Sequence, residues 1–423
     1  MKIVAASFAV VSRDLDLTAG AAQHLRVQLA LEPLSASVVV TAEASPAELG
    51  TTTAPVTTIT RTEINQRAAT SLPDLLATLP GFSLARTGRE GGQATLFLDG
   101  ANSNHTKVLV DGAPVNDSGG FMDFSNFTLD NVEKIEVVHG AESAIYGSDA
   151  MAGVIQVFTR RGTTRVPQLT LTGDGGSFAT GRGEAELSGL LGRFDYSGSA
   201  GYFSTNGQGP NDRFLHRSYS GAFGWKFADQ NTLRLTLRDN SSGAGIPGQT
   251  LYLPPNLDSS NGLHDFIASL VWNAQTGEHW RWRVAGTEAS LHDADTYAAG
   301  FTSISQFNRA AINTQSSYWF RQGTITAGYD YEAENGFPGA LLGEHAQRLN
   351  QAGYLDFRWL PVPRLTLNAG ARAEDNASFG TRVVPRAGAS YLLRKSGSAL
   401  GPTRLHAFYG QGIDEPRLDQ SFG

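Results

Sequence analysis

Gly243, Gly245 and Gly248 stand in the spacing Gly-x-Gly-x-x-Gly, an arrangement that can bring backbone N–H groups against a phosphate. Such a loop needs a strand before it and a helix N-terminus behind it. Here a serine-rich stretch precedes it, Pro247 interrupts it and no helical pattern follows, so the spacing carries no nucleotide site. His292, Asp293 and Asp295 offer oxygen and nitrogen ligands close together, but within 291–314, a stretch that reads as a solvated loop. Glu374 and Asp375 form an acidic pair on an expected turn, and adjacent positions give no acid/base geometry across a reacting bond. There is no His-Glu-x-x-His, no P-loop and no nucleophile elbow. With no cysteine, disulfides and thiolate metal sites are out. The expectation is a protein with no catalytic residue, no metal and no cofactor, one that binds rather than transforms.

The elements that would position a binding surface differ along the chain. A length of 423 residues exceeds one small core. Glycine is abundant (48) and charged residues are only 17%, which suits a β protein with many turns and faces that do not all meet water. A net charge of −7 and a pI near 5.7 argue against a nucleic-acid partner, which would need a basic stripe. No run of 18 or more apolar residues exists, so no transmembrane helix is expected.

From Gln93 to Arg160 short apolar runs alternate with glycine turns. Thr95–Leu98, Lys107–Val110, Lys134–Val138 and Val154–Thr159 read as strands. Asp111-Gly112 is a turn signal requiring positive φ. Residues 141–150 are helix-compatible up to a break at Gly147. Upstream, Val56–Thr60 reads as a strand, and Thr60 with Glu63 has capping-box spacing. Ser71, Pro73 and Asp74 open a second short helix with Leu72, Leu75, Leu76 and Leu79 on its apolar side, stopped by Pro80-Gly81. Phe82–Ala85 is a strand, and residues 87–93 are a polar loop.

Two ordered motifs in this stretch, VLVDG at 108–112 and SAIYGSDAMAGVIQVFT at 143–159, closely resemble the plug domain of TonB-dependent outer-membrane transporters, most of all the cobalamin transporter group. Three residues depart from the family pattern: Asp99 stands where arginine is usual, Ala141 replaces a proline and Ala152 a glycine. Asp99 places one plug–barrel ion pair in doubt. The resemblance implies a mainly β fold, a transmembrane antiparallel β-barrel with an N-terminal α+β plug inside its lumen. The implied function is active import of a scarce large ligand, such as a siderophore or cobalamin, across the outer membrane. The partners would be TonB with ExbB and ExbD, outer-membrane lipid and a small-molecule or metal-chelate ligand. The alternatives are a TonB-linked signalling receptor, or a truncated product that transports nothing.

The plug is expected over 55–162, and the segment before it carries the coupling. Ser37, Val38, Val39, Val40, Thr41 and Ala42 resemble a TonB box, an extended β-branched segment whose free backbone a partner's sheet edge can add as a strand. Residues 35–54 are box plus Ala/Thr/Pro-rich linker, and 1–34 look like the last strands of a carboxypeptidase-regulatory-like β domain. The start lacks a small-residue cleavage site, so it does not read as a signal peptide and the true start is expected upstream. By resemblance, substrate contacts come from two plug apices, Arg89, Glu90 and Gln93 in one and Asn116, Asp117, Ser118 and Phe121 in the other. The relatives' calcium-binding loop aspartates have only Asp212 and Asp239 as counterparts here, and no calcium is expected.

From 163 to 423 long alternating strands take over. Leu233, Leu235 and Leu237 alternate with Arg234, Thr236 and Arg238; Phe194, Tyr196 and Tyr202 with Asp195, Ser197 and Ser199. Apolar residues on one face and polar on the other suit a barrel around a wet lumen, although a soluble sandwich also alternates. Trp225, Phe227, Trp280, Trp282, Tyr318, Trp319 and Trp359 are candidate girdle residues. Polar stretches 204–217, 239–262 and 291–314 read as loops. A spanning strand needs about 9–11 residues, so this region holds roughly a dozen, against about 22 in plugged outer-membrane transporters. The chain is therefore expected to be the N-terminal part of a longer protein.

Overall fold

A computed structural model of the chain describes residues 2–3, 11–12, 38–39, 47–48, 51–88, 90–250, 252–298, 300–337, 345–394 and 403–422. Four two-residue strands precede the main body: β1 (Lys2–Ile3) pairs with β2 (Val11–Ser12), and β3 (Val38–Val39) with β4 (Ala47–Glu48). The rest of the expected N-terminal β domain lies outside the described residues, as do Ser37, Val40, Thr41 and Ala42.

Residues 51–162 build an α+β body. β5 (Val56–Thr60) runs into α1 (Arg61–Arg67), where Thr60 and Glu63 close the capping box foreseen from their spacing. α2 (Leu72–Ala77) starts on Ser71, whose side chain accepts from the Asp74 N–H. Leu72, Leu75 and Leu76 are fully buried, each contributing about 1.5–3 kcal/mol of apolar burial. A hairpin follows, β6 (Phe82–Arg86) with β7 (Ala94–Leu98). The main sheet takes β8 (Thr106–Val110), β9 (Ala113–Pro114), β10 (Val132–His139) and β11 (Gly153–Thr159) in the order β5-β10-β11-β8-β9, with β11 and β8 parallel. Asp111 (φ 46°) and Gly112 (φ 88°) form the tight β8–β9 turn. α3 (Ser143–Tyr146) ends at Gly147, whose φ of 75° with ψ −156° is open to glycine alone.

Thirteen consecutive antiparallel strands then form one sheet. They are β12 (Gln168–Gly176), β13 (Thr180–Leu191), β14 (Phe194–Thr205), β15 (Phe214–Ala228), β16 (Asn231–Gly245), β17 (Ser260–Thr276), β18 (Trp280–Thr296), β19 (Thr302–Phe320), β20 (Gly323–Phe337), β21 (Ala346–Val362), β22 (Leu365–Asn376), β23 (Gly380–Arg394) and β24 (Thr403–Gly410). β12 and β24 are the open edges. The sheet curves around the α+β body, and its side chains are sorted against the usual sense. Leu169 (63%), Leu171 (72%) and Leu355 (56%) are exposed on the outside, while Arg238, Arg348 and Arg386 are fully buried on the inside. An apolar exterior around a polar, filled interior is a transmembrane barrel wall, not a soluble sandwich with a dry middle. Among the described residues no helix is long and apolar enough to cross a membrane.

The strands are longer than their sequence suggested. Residues 239–245 and 260–262 belong to β16 and β17, leaving 246–259 as the loop, and β18 and β19 leave only 297–301 of the stretch expected to be open. Their polar residues face the lumen or continue the wall above the apolar band, so polarity did not mark a loop. One end of the wall has turns of two or three residues at 192–193, 229–230, 277–279, 321–322 and 363–364; the other carries the connections 206–213, 246–259 and 297–301 beside the short turns 177–179 and 377–379. In outer-membrane barrels the short turns are periplasmic. Trp225, Phe227, Trp280, Trp282 and Trp359 are exposed near that end, and Trp280 packs on Trp282 and Tyr318 at 5.7 and 5.0 Å. Trp319 does not join them. It turns into the lumen, between the guanidiniums of Arg281 (4.3 Å) and Arg358 (5.5 Å).

Candidate functional site

The inner body touches the wall mostly through charge and hydrogen bonds, with apolar contacts at Ile267 of β17 and Phe408 of β24. Near β13, Glu186 accepts a two-bond fork from Arg61 (2.8 and 2.7 Å), a bond from Arg160 (3.3 Å) and the Asn131 N–H (3.0 Å). Arg238 of β16 donates to the Thr128 carbonyl (2.7 Å) and lies over the Phe127 ring. Asp111 ties the β8–β9 turn to Thr236 of the wall (2.7 Å). Ser148, beyond α3, donates to Glu374 (2.6 Å). Arg386 of β23 donates to Glu142 at the α3 N-terminus (2.8 Å) and to Asp356 (2.9 Å), both side chains nearly or fully buried.

On the long-loop side a strap covers the inner body. After β24 the chain turns inward over 411–417 and ends in α4 (Leu418–Phe422). Asp149 N–H donates to the Ile413 carbonyl (2.9 Å), Ile413 N–H to Ser143 (3.2 Å), and Asn104 to Asp414 (3.1 Å). Glu415 enters a buried cluster. Glu334 accepts from Arg309 (2.8 Å) and Arg348 (2.7 Å), Arg348 donates to Glu415 (2.7 Å), and Arg309 donates to the Asn116 carbonyl (2.6 Å). Oxygens of Glu332, Glu334 and Glu415 lie within 4.8 Å of one another, close enough for a cation. Arg309 and Arg348 already pair with all three carboxylates, so the chemistry of the set is an ion-pair clamp between strap, wall and plug loop.

The structure separates the residues expected at the ligand-facing apices. Asn116 is buried; its side chain accepts from Val108 N–H (2.7 Å) and donates to the carbonyls of Thr106 (3.0 Å) and Gly120 (2.8 Å), which uses it up within its own loop. Asp117 accepts from Ser118 N–H (2.6 Å), and burial pushes its carboxyl above the ordinary range. Ser118 lies under Leu418 of the strap. Phe121 is half-buried, Glu90 and Gln93 are exposed, and Arg89 lies outside the described residues. Asp99 pairs with His139 of the plug itself (2.8 Å) instead of the wall.

The other singled-out groups disperse. His292, Asp293 and Asp295 sit on β18 and not in a loop, and both aspartates accept from the Asn261 amide (2.6 and 3.0 Å). Glu374 and Asp375 lie on β22 rather than a turn, one buried in the lumen and the other exposed. Asp212 accepts from Gly209 N–H in its loop, whereas Asp239 pairs with His264. Gly243 and Gly245 are strand residues with no helix behind them. Sequence reading passed over Arg309, Glu334, Arg348 and Arg386. The available signal was a full charge in the polar phase of a long strand, which a filled lumen obliges to pair.

One junction responds to pH. Asp149 (plug) and Asp414 (strap) are carboxylates close enough to repel, and burial holds both above their ordinary range. The docked strap thus binds more protons than a released one. Its contribution is complete below about pH 4, the ordinary carboxylate range, and is lost as pH rises through the pair's elevated pKa. Hydrogen exchange at Ile413 and Glu415 is expected to quicken between pH 5 and about 8 beyond the intrinsic base catalysis, and Asp414→Asn to flatten that excess.

A plugged β-barrel wall of this design defines an outer-membrane receptor class. Residues 48–154 match the TonB-dependent receptor plug domain and residues 115–423 the TonB-dependent receptor-like β-barrel. The chain belongs to the TonB-dependent receptors. Among solved structures it is similar to the siderophore receptor PirA from Pseudomonas aeruginosa (21% identity, TM-score 0.64, covering 80% of this chain and 59% of that one). It is also similar to the alcaligin outer-membrane receptor FauA from Bordetella pertussis (17%, 0.70, 85% and 64%). A third is the ferric yersiniabactin uptake receptor FyuA from Yersinia pestis (15%, 0.64, 81% and 63%). At these identities the likeness is one of fold, and the chain spans about three-fifths of each of these structures.

Proposed function

We propose that the protein is the receptor for a scarce metal chelate and imports it across the outer membrane with energy delivered by TonB, ExbB and ExbD. The observation that supports this reading most directly is the seating of the plug. It is held in a polar lumen by ion pairs and hydrogen bonds, contacts that water can replace as the plug moves, whereas an apolar seam would resist wetting. The named neighbours are siderophore receptors, which favours an iron–siderophore complex over cobalamin. The ligand meets the apices at 87–93 and 116–122, where Glu90, Gln93 and Phe121 remain accessible.

Coupling falls to residues 37–42. Val38 and Val39 already lie in a two-residue antiparallel pairing with Ala47 and Glu48, backbone geometry that a partner strand can take over. Val39→Pro removes a backbone donor and distorts the added strand. Uptake of radiolabelled ferric siderophore by cells carrying this variant is expected to drop to background while surface binding persists. Uptake at the wild-type rate would remove the coupling assignment.

A further inference from the structure

Between the plug and strands β14 to β22, toward the short-turn end, lies a cavity of about 540 Å³. That volume is within the range of small-molecule sites. It is lined by the β8–β9 turn, by the end of α3 and by the inner face of the wall.

Its charges do not balance locally. Every carboxylate on the lining is engaged. Asp195 pairs with Arg234, Asp330 and Glu374 with Arg372, Glu332 with Arg309 and Glu415 with Arg348. Asp111 accepts from Thr159 and Thr236. Five lining cations, Lys107, Arg161, Lys226, Arg281 and Arg283, form no ion pair among the described residues, and of these Lys107 donates to the Tyr146 and Ser148 carbonyls. Among the described residues the Arg281 guanidinium lies over the face of Trp319, 4.3 Å from the ring centroid. The Arg283 guanidinium reaches from β18 across to the plug, and a Cβ on Gly112 would lie 2.5 Å from its Nη2. Asp111 keeps its own negative charge, but the lining carries seven cations against six carboxylates, and a recess with an excess of positive charge concentrates anions. Two guanidiniums two residues apart on one strand face present paired N–H donors to planar oxyanions.

We propose that this cavity is a binding site for an organic oxyanion, carrying carboxylate or phosphate groups, seated between the Asp111-Gly112 turn and the wall with Arg281 and Arg283 as its ligands. It lies on the opposite side of the clamp from the apices. In the uptake reading, on which its role but not its binding rests, it would receive the cargo as it leaves the plug, and the cargo is anionic.

The test uses the protein purified in detergent, with citrate and inorganic phosphate as separate probes and spermidine as the cationic counter-probe, followed by titration calorimetry and tryptophan fluorescence. Saturable binding of one oxyanion is expected, weakened at least tenfold by Arg283→Gln, partly retained by Arg283→Lys, and falling as salt rises. Citrate binding without phosphate binding assigns the carboxylate class; the reverse assigns phosphate. Should Arg283→Gln lose the plug's protease resistance, Lys226→Gln at the mouth carries the same test with a smaller loss. The proposal is overturned if neither oxyanion binds, if folded variants bind as tightly as wild type, or if spermidine is preferred. Binding is measured without TonB, so a normal Val39→Pro uptake result would sink the transport reading and leave this measurement standing.

Discussion

Arg386→Met is expected to weaken the seating of the plug by about 3–5 kcal/mol, the cost of leaving buried carboxylates without their cation. Arg386 is fully buried and joins Glu142 of the plug to Asp356 of the wall. Methionine fills much the same volume, so packing changes little and the effect isolates charge. Asp356 keeps the Asn368 amide, which donates to both its oxygens at 3.0 Å. Glu142 loses its guanidinium where water does not reach. The readout is denaturant-dependent protease sensitivity of the plug, which separates plug release from unfolding of the wall. Adding Glu142→Leu to Arg386→Met should return more than half of the loss, because the stranded charge disappears with it. A loss below about 1 kcal/mol, the median range of exposed pairs, would mean that solvent reaches this junction and that the pair behaves as a surface salt bridge.

The plug was legible because its determinants are local. The Thr60 cap, the Ser71 cap and the Asp111-Gly112 turn are each written in four residues or fewer, and each formed where its spacing placed it. Alternation in the second half announced the wall but could not set strand ends. Asp293 and Asp295 read as loop residues because lumen-facing and solvated positions share a composition. Trp319 read as a girdle residue for the same kind of reason: one residue of phase separates it from Tyr318, which does face outward. The clamp was not legible at all. Arg309, Glu334 and Arg348 face one another across the consecutive strands β19, β20 and β21, a register that alternation alone does not set, and Glu415 joins them only because the chain folds back after β24. Nothing in 411–422 marks it as a strap, since the contacts that dock it are made with Asn104, Ser118, Ser143, Asp149 and Arg348 elsewhere.

Gly120→Ala is expected to dislodge the apex loop at a cost of about 2–5 kcal/mol, the sum of about 1–2 for a left-handed backbone and 1–3 for overpacking. Gly120 has φ 75°, and a Cβ there would sit 2.1 Å from the Asn104 carbonyl oxygen and 2.9 Å from the Asp149 Cβ. Backbone atoms cannot swing aside as a side-chain tip can, so the loop itself must move. Its movement would draw the Gly120 carbonyl away from Asn116, whose amide holds Thr106 and Val108 in place and whose own carbonyl accepts from Arg309. One methyl group therefore loosens the apex, the strap residue Asp414 through Asn104, and the clamp together. Gly88→Ala is the matched control: φ is 80° there too, but no atom lies within 4 Å of the added Cβ, so only the backbone cost of about 1–2 kcal/mol remains. Thermal unfolding and hydrogen exchange over residues 104–121 would compare the two. Equal destabilisation would show that the apex gives way without strain, and that the plug loop and the strap are not one mechanical unit.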